Sequence, residues 1–227
     1  RLEVCKDALD YRAKRCGEAK PQNAPILYMH GAFGKRLKPD DRVKQLFDKQ
    51  RATLSLGYIG LYEVASVFYG GEWENNKEAK DFTLDIMKHM KQCVDKWTSE
   101  GDYWYSIYST PSESLTDRFC RMDTEKFGMV ENVTDKEYYT NSYHYDVRKN
   151  PTPFEKLDFE KDYPYYASGG FIHYCEYPVL KQNPKALEAV WDFAYDKVGY
   201  LGTNTPIDRC YNCNFEGEFE PTKKGFK

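Results

Sequence analysis

Residues 105–115 read Tyr-Ser-Ile-Tyr-Ser-Thr-Pro-Ser-Glu-Ser-Leu, and four of the six positions from 109 to 114 carry hydroxyls: Ser109, Thr110, Ser112 and Ser114. With Thr110 as N-cap, Pro111 as the first helical residue and Glu113 as the third, the stretch has the capping-box pattern with proline at its favoured position. A helix starting there projects backbone N–H groups that have no intrahelical acceptor, beside a cluster of hydroxyls. Such donors suit phosphate oxygens and need no Lys or Arg. A plain capped strand-to-helix turn has the same spacing; the density of hydroxyls favours an anion.

The second chemically pointed spacing is Cys210-Tyr211-Asn212-Cys213. Cys-x-x-Cys supplies half of a tetrahedral zinc site, and no second Cys pair or His pair follows before Lys227. A redox pair is the alternative, but nothing around the two cysteines predicts a helix start that would lower a thiol pKa. The other five of the seven cysteines, Cys5, Cys16, Cys93, Cys120 and Cys175, stand singly in apolar or helical stretches, as reduced thiols packing as small hydrophobes do. That usage predicts a reducing, cytoplasmic setting. His30, His89, His144 and His173 are expected to be surface or hydrogen-bonded histidines, and the carboxylates at 40–41 and 158–162 solvated faces. No serine triad, Walker loop or dinucleotide fingerprint occurs.

The elements that must position these residues follow from periodicity. Positions 4–18 read as a helix, 25–29 as a strand-like run, 37–48 as a short helix and 52–58 as a strand. Gly57 and Gly60 bracket Tyr58-Ile59, which predicts a sharp turn or close backbone approach before a helix over 61–68. Phe82, Ile86, Met90, Val94 and Trp97 form the core stripe of a helix over 76–98. A strand over 103–108 leads directly into the helix from Pro111 to about Asp123, with Leu115 and Phe119 inward. Positions 134–166, rich in Tyr and interrupted by prolines, read as a surface excursion. A strand over 169–177, a helix opened by Asn183-Pro184 with Leu187, Val190, Trp191 and Ala194 inward, and a last strand before Cys210 complete an α/β pattern.

The chain has 227 residues, enough for a sizeable core, and 33 basic against 36 acidic residues give a net charge of −3. With no one-signed block there is no sign of a nucleic-acid groove, and no apolar run is long enough to span a bilayer. Neither nucleic acid nor membrane is expected as a partner. Arg1 rather than Met opens the chain and a half metal site closes it, as expected of an internal segment.

Together these stretches resemble anaerobic (class III) ribonucleoside-triphosphate reductase. The resemblance runs through Ala24-Pro25-Ile26-Leu27-Tyr28, Gly31-Ala32-Phe33-Gly34, Ser55-Leu56-Gly57-Tyr58-Ile59-Gly60 and Tyr108-Ser109-Thr110-Pro111-Ser112-Glu113-Ser114. It continues through Asp123-Thr124-Glu125-Lys126-Phe127-Gly128, Tyr139-Thr140-Asn141-Ser142, Thr152-Pro153-Phe154-Glu155-Lys156, Leu187-Glu188-Ala189-Val190-Trp191-Asp192 and Pro206-Ile207-Asp208-Arg209-Cys210. The resemblance implies the second half of a ten-stranded α/β barrel over 1–209 and a truncated zinc-binding segment over 210–227. It also implies reduction of a ribonucleoside triphosphate by glycyl and thiyl radical chemistry, with formate or a thiol as reductant. Residues 108–114 match the family's substrate phosphate turn, and Cys210 and Cys213 its first zinc pair. The thiyl cysteine, the radical glycine, the second zinc pair and the allosteric ATP-binding domain are expected outside these 227 residues. The implied partners are a radical-SAM activating enzyme, the remainder of the reductase chain and a second copy in a homodimer. Asn214 departs from the glycine the family commonly has after the second zinc ligand.

Two other readings suit part of the sequence. A carbohydrate-active enzyme fits the 20 Tyr and 4 Trp but needs two placed carboxylates. A zinc-dependent interaction module fits the Cys pair and leaves the serine-rich turn unexplained.

Overall fold

The computed structural model describes residues 1–227 except positions 48, 110, 206, 218, 220, 223, 224 and 227. The chain divides into two compact units, residues 1–143 with 162–171, and residues 144–161 with 172–227. Both mix helices with short strands.

In the first unit the order is α1 (Leu2–Glu18), α2 (Pro25–Tyr28), β1 (Thr53–Gly57), α3 (Leu61–Tyr69), α4 (Lys77–Glu100), β2 (Trp104–Tyr108) and α5 (Glu113–Phe127). Strands β1 and β2 pair in parallel with Gly57 opposite Tyr108, so their carboxy ends lie side by side. Two parallel neighbours need a crossover, and α3 and α4 supply it. Asn76 caps α4 by accepting the Ala79 N–H at 3.2 Å. Met90, Val94 and Trp97 face inward as expected, and Trp97 meets Tyr105 of β2 edge-on at 5.7 Å. In the first half of α4 the inward residues are Thr83 and Met87 instead of Phe82 and Ile86. Thr83 bonds the Tyr163 hydroxyl at 2.9 Å, while Phe82 lies against Phe68 and Tyr69 at 5.3 and 5.6 Å. An aromatic cluster outside the core and a buried hydroxyl pair together turn the helix by about one position.

Three further expectations change. Positions 25–28 form a turn of helix, with Pro25 at its start and the Met29 N–H on the Pro25 carbonyl at 2.8 Å, rather than a strand. Within 37–48 the regular element is a tight 3-10 turn, Val43–Leu46, whose Val43 and Leu46 are buried. The Tyr-rich stretch over 134–166 is partly interior: Tyr143 and Tyr163 are fully buried and stacked at 5.4 Å, with Trp73 edge-on to Tyr163 at 5.9 Å, while Tyr138 and Tyr165 are exposed. A tyrosine ring is a large apolar surface once its hydroxyl has a partner, so a polar-looking run can fill a core.

The second unit contains α6 (Pro153–Glu160), β3 (His173–Glu176), α7 (Pro184–Ala194), β4 (Leu201–Asn204), β5 (Asp208–Arg209), β6 (Glu216–Gly217), β7 (Pro221–Thr222) and β8 (Gly225–Phe226). Strands β3 and β4 pair in parallel; β5 with β6 and β7 with β8 are antiparallel. Leu157, Cys175, Tyr177, Val190 and Ala194 make its core, with Leu187 packed against them. Trp191, expected inward, is 50% exposed.

Of the carboxylates at 158–162, Asp158 and Asp162 are exposed as expected, whereas Glu160 is fully buried. It is bonded by Lys156 and accepts His173 Nδ1 at 2.9 Å, His144 Nδ1 at 3.3 Å and the Tyr145 N–H at 2.9 Å. Burial alone would raise its pKa, but Lys156, His144 and His173 outweigh burial and hold the carboxyl well below its usual range. Among the described residues no helix is long and apolar enough to cross a membrane.

Candidate functional site

The carboxy ends of β1 and β2 converge on the serine-rich turn, the edge of a parallel sheet where ligand sites are commonly built. Ser55 and Ser106 are hydroxyl-bonded at 3.0 Å across the strands, and one step further Tyr58 and Ser109 are bonded at 2.7 Å. On the far side of β2 the Gly169-Gly170 segment extends the sheet. The Gly169 N–H donates to the Ile107 carbonyl at 2.7 Å, and the Ser109 N–H donates to the Gly170 carbonyl at 3.0 Å. A side chain at 169 would meet Ser106 Oγ at 2.5 Å and the Ile107 carbonyl at 2.9 Å, so glycine alone permits this approach.

Helix α5 begins at Glu113, with Ser112 as its N-cap residue. Pro111 therefore precedes the helix, two positions earlier in the cap than the capping-box reading places it, and Thr110 lies outside the described residues. The Ser112 carbonyl accepts the Leu115 and Thr116 N–H groups at 3.0 and 2.9 Å, while the Ser112 hydroxyl makes no capping bond. The Ser112 N–H donates instead to Asn141 Oδ1 at 2.7 Å. Ser109 is buried against Tyr58, Ser112 and Pro111 are half-buried, and Ser114 and Tyr108 are exposed. The inward residues of α5 are Thr116 and Cys120 rather than Leu115 and Phe119, since Phe119 is 39% exposed. Burial pushes the Cys120 thiol upward.

Asn141 reaches the turn because its segment is tied down on both sides. Gly60, in the left-handed region at φ 79°, lets the chain turn from β1 into α3, and its N–H donates to the Thr140 carbonyl at 2.8 Å. The Leu61 N–H donates to the Ser142 carbonyl at 3.2 Å, and Ile59 and Asn141 form an antiparallel bridge. Glu63 Oε1 accepts the Thr140 N–H and hydroxyl at 2.8 and 2.9 Å, and Lys136 at 2.6 Å. Tyr139 donates its hydroxyl to Asp123 at 2.7 Å; burial and then that carboxylate raise its pKa.

The Cys pair sits in the β5–β6 hairpin. The Cys210 N–H donates to the Phe215 carbonyl at 2.9 Å, and the Asn214 N–H donates to the Cys210 carbonyl at 2.8 Å. Asn214 takes φ 59°, the left-handed conformation that asparagine tolerates better than most residues, so its departure from glycine leaves the turn intact. Backbone N–H groups of Cys213 and then Asn212 point at the Cys210 sulfur and lower its pKa. No helix start is needed for this; backbone amides in a tight turn do it. Two thiols at Cys-x-x-Cys spacing fit a soft, tetrahedral cation. Among the described residues no group of three or more His, Cys, Asp or Glu side chains could hold a metal ion.

Asn141, Tyr58, Gly169-Gly170 and the Glu63–Lys136 pair were not legible as site residues. The one usable signal was that Gly57–Gly60 and Thr140-Asn141-Ser142 both stand in stretches that resemble the reductase.

The family model for anaerobic ribonucleoside-triphosphate reductase matches residues 1–224. The chain belongs to that family. Over its whole length it is 54% identical to the anaerobic ribonucleoside-triphosphate reductase of Haemophilus influenzae and 52% identical to that of Escherichia coli, covering 32% of each. The counterpart of phage T4 is 44% identical over 226 residues, 36% of its length. This reductase-family chain thus spans about a third of the length of the curated relatives it matches. Among solved structures, the Thermotoga maritima anaerobic ribonucleotide reductase with MES in the active site aligns over 78% of this chain and 30% of its own, at 21% identity and TM-score 0.61. The form with dATP in the specificity site aligns over 73% and 28%, at 19% identity and TM-score 0.57. These show a shared mixed α/β fold.

Proposed function

We propose that this chain is a segment of an anaerobic reductase that converts ribonucleoside triphosphates to deoxyribonucleoside triphosphates, and that residues 108–114 hold the substrate's phosphates. The observation that carries the reading is the position of the turn. It follows β2 at the carboxy edge of a parallel pair and leads into the amino end of α5, in a chain belonging to this family. Ser109, Thr110, Ser112 and Ser114 supply hydroxyl donors, the first turn of α5 supplies amides, Pro111 and Glu113 shape the turn, and Tyr108 lies beside the nucleotide.

In the fold this reading implies, residues 1–209 are part of the second half of a ten-stranded catalytic barrel, and 210–227 open the zinc-binding segment. Cys210 and Cys213 hold a structural zinc with two ligands from elsewhere in the protein. The glycyl radical supplies one-electron chemistry through a cysteine expected outside this chain, with formate or a thiol as reductant and a radical-SAM enzyme as activator. What the present residues do is bind and orient the nucleotide. The enzyme is taken as cytoplasmic and homodimeric. A sugar-binding enzyme gains no support, since the buried carboxylates described in the aromatic-rich region, Asp146 and Glu160, are committed to ion pairs with Arg148 and with Lys156.

The test is steady-state kinetics of the complete enzyme with Thr110 and Ser112 both replaced by Ala. The expected result is a substrate KM raised about tenfold or more, as two donors to a charged group are lost. Unchanged KM and kcat would overturn the assignment.

A further inference from the structure

The contact that fixes the start of α5 comes from outside the turn. Asn141 Oδ1 takes the N–H of the N-cap residue Ser112 at 2.7 Å, and the residue before it, Thr140, is bonded into a buried ion pair. Lys136 Nζ lies 2.6 Å from Glu63 Oε1 and donates to Thr140 Oγ1 at 2.6 Å, and the Lys136 and Glu63 side chains are 2% and 5% exposed. The Lys136 ammonium also sits over the rings of Tyr62 and Tyr138, at 4.4 and 5.4 Å. Thr140 gives both its donors to the same Glu63 oxygen. On the other side of Asn141, Ser142 is fully buried at φ 38°, a conformation a serine keeps only when its surroundings impose it. A residue flanked by a buried ion pair and a constrained backbone has little freedom in where its amide points.

We propose that Asn141 is a positioning residue for triphosphate binding: held by Glu63, Lys136 and Thr140, it takes the Ser112 N–H and thereby aims the remaining donors of the turn at the substrate's phosphates. This rests on the reading of residues 108–114 as the phosphate turn. The choice of side chain fits the task. An amide oxygen accepts the N–H while carrying no charge, whereas a carboxylate would do so and repel the phosphates beside it.

The test uses the complete enzyme. Asn141→Ala should raise the KM for the ribonucleoside triphosphate about five- to tenfold, with kcat within about twofold of wild type, because an orienting hydrogen bond is lost and the chemistry is not touched. Asn141→Asp keeps the acceptor, so it should fold as wild type does. Its KM should nevertheless rise, and the rise should shrink at high salt as the added charge is screened. A wild-type KM for Asn141→Ala, or a fall in kcat alone, overturns the proposal. If Asn141→Ala does not fold, Asn141→Asp decides: a raised, salt-sensitive KM supports the role and an unchanged KM overturns it. A raised KM in the Thr110 and Ser112 double variant with a normal KM at Asn141 removes the positioning role and leaves the phosphate turn standing. Normal KM values in both remove the phosphate turn itself.

Discussion

The sequence Thr-Pro-x-Glu occurs twice, at 110–113 and at 152–155, and the chain treats the two copies differently. At the second copy it closes on itself: Glu155 N–H reaches Thr152 Oγ1 at 3.3 Å, the Glu155 carboxylate accepts the Thr152 N–H at 2.8 Å, and α6 starts at Pro153. The Thr152 hydroxyl and then its N–H hold the Glu155 carboxyl below its usual pKa. At the first copy the helix starts two residues later than the same logic predicts, and the Ser112 N–H goes to Asn141, 29 residues on. A local signature is decisive where nothing competes. At the end of β2 tertiary partners compete, and the Ser112 N–H at the start of α5 is taken by a distant residue.

The sharpest way to break this contrast is to cut the lock behind Asn141. Lys136→Met leaves Glu63 buried without its cation and should destabilise the full chain by about 3 to 5 kcal/mol in chemical denaturation, a loss that leaves α6 and its box untouched. A loss below about 1 kcal/mol would show that the pair does not hold the segment.

Next is the far end of α6, where Glu160 is anchored by Lys156, His144 and His173. Glu160→Gln should cost about 2 to 3 kcal/mol at neutral pH. The pH dependence has a definite sign. A carboxyl whose folded pKa is depressed contributes stability that is fully present above its unfolded pKa of about 4.3 and is lost as pH falls through the folded value. Wild type should therefore lose stability more steeply in acid than Glu160→Gln, and parallel curves would contradict the ion cluster.

Smaller effects separate the two copies directly. Thr152→Ala removes a formed cap and should cost about 1 kcal/mol. Ser112→Ala removes a hydroxyl that makes no capping bond and should cost less than about 0.5 kcal/mol, measured in the same denaturation series. Equal costs would mean that the two turns are capped alike.

The same contrast explains what could be read in advance. Helices α4 and α7 and strands β1 and β2 were legible because their apolar spacing is local and strong, and the caps at Asn76 and the opening at Pro184 mark real starts. The inward faces of α5 and of the first half of α4 were not, because Thr116 and Thr83 are buried although periodicity weighs them as polar, Thr83 with its hydroxyl on Tyr163. The interior role of 134–143 was hidden for the same reason. Lys136, Thr140 and Ser142 look like surface residues; Glu63 supplies the buried partner of the first two. Of the site, the turn and the Cys pair showed in residue types and spacing, whereas Asn141 and Gly169-Gly170 act across long sequence separations.

The most direct measurement compares the two Thr-Pro-x-Glu segments by amide hydrogen exchange in the complete enzyme, with and without a saturating ribonucleoside triphosphate. The account predicts added protection across 109–114 and no change at 152–155. Protection that stays constant at 109–114 under saturation would contradict it.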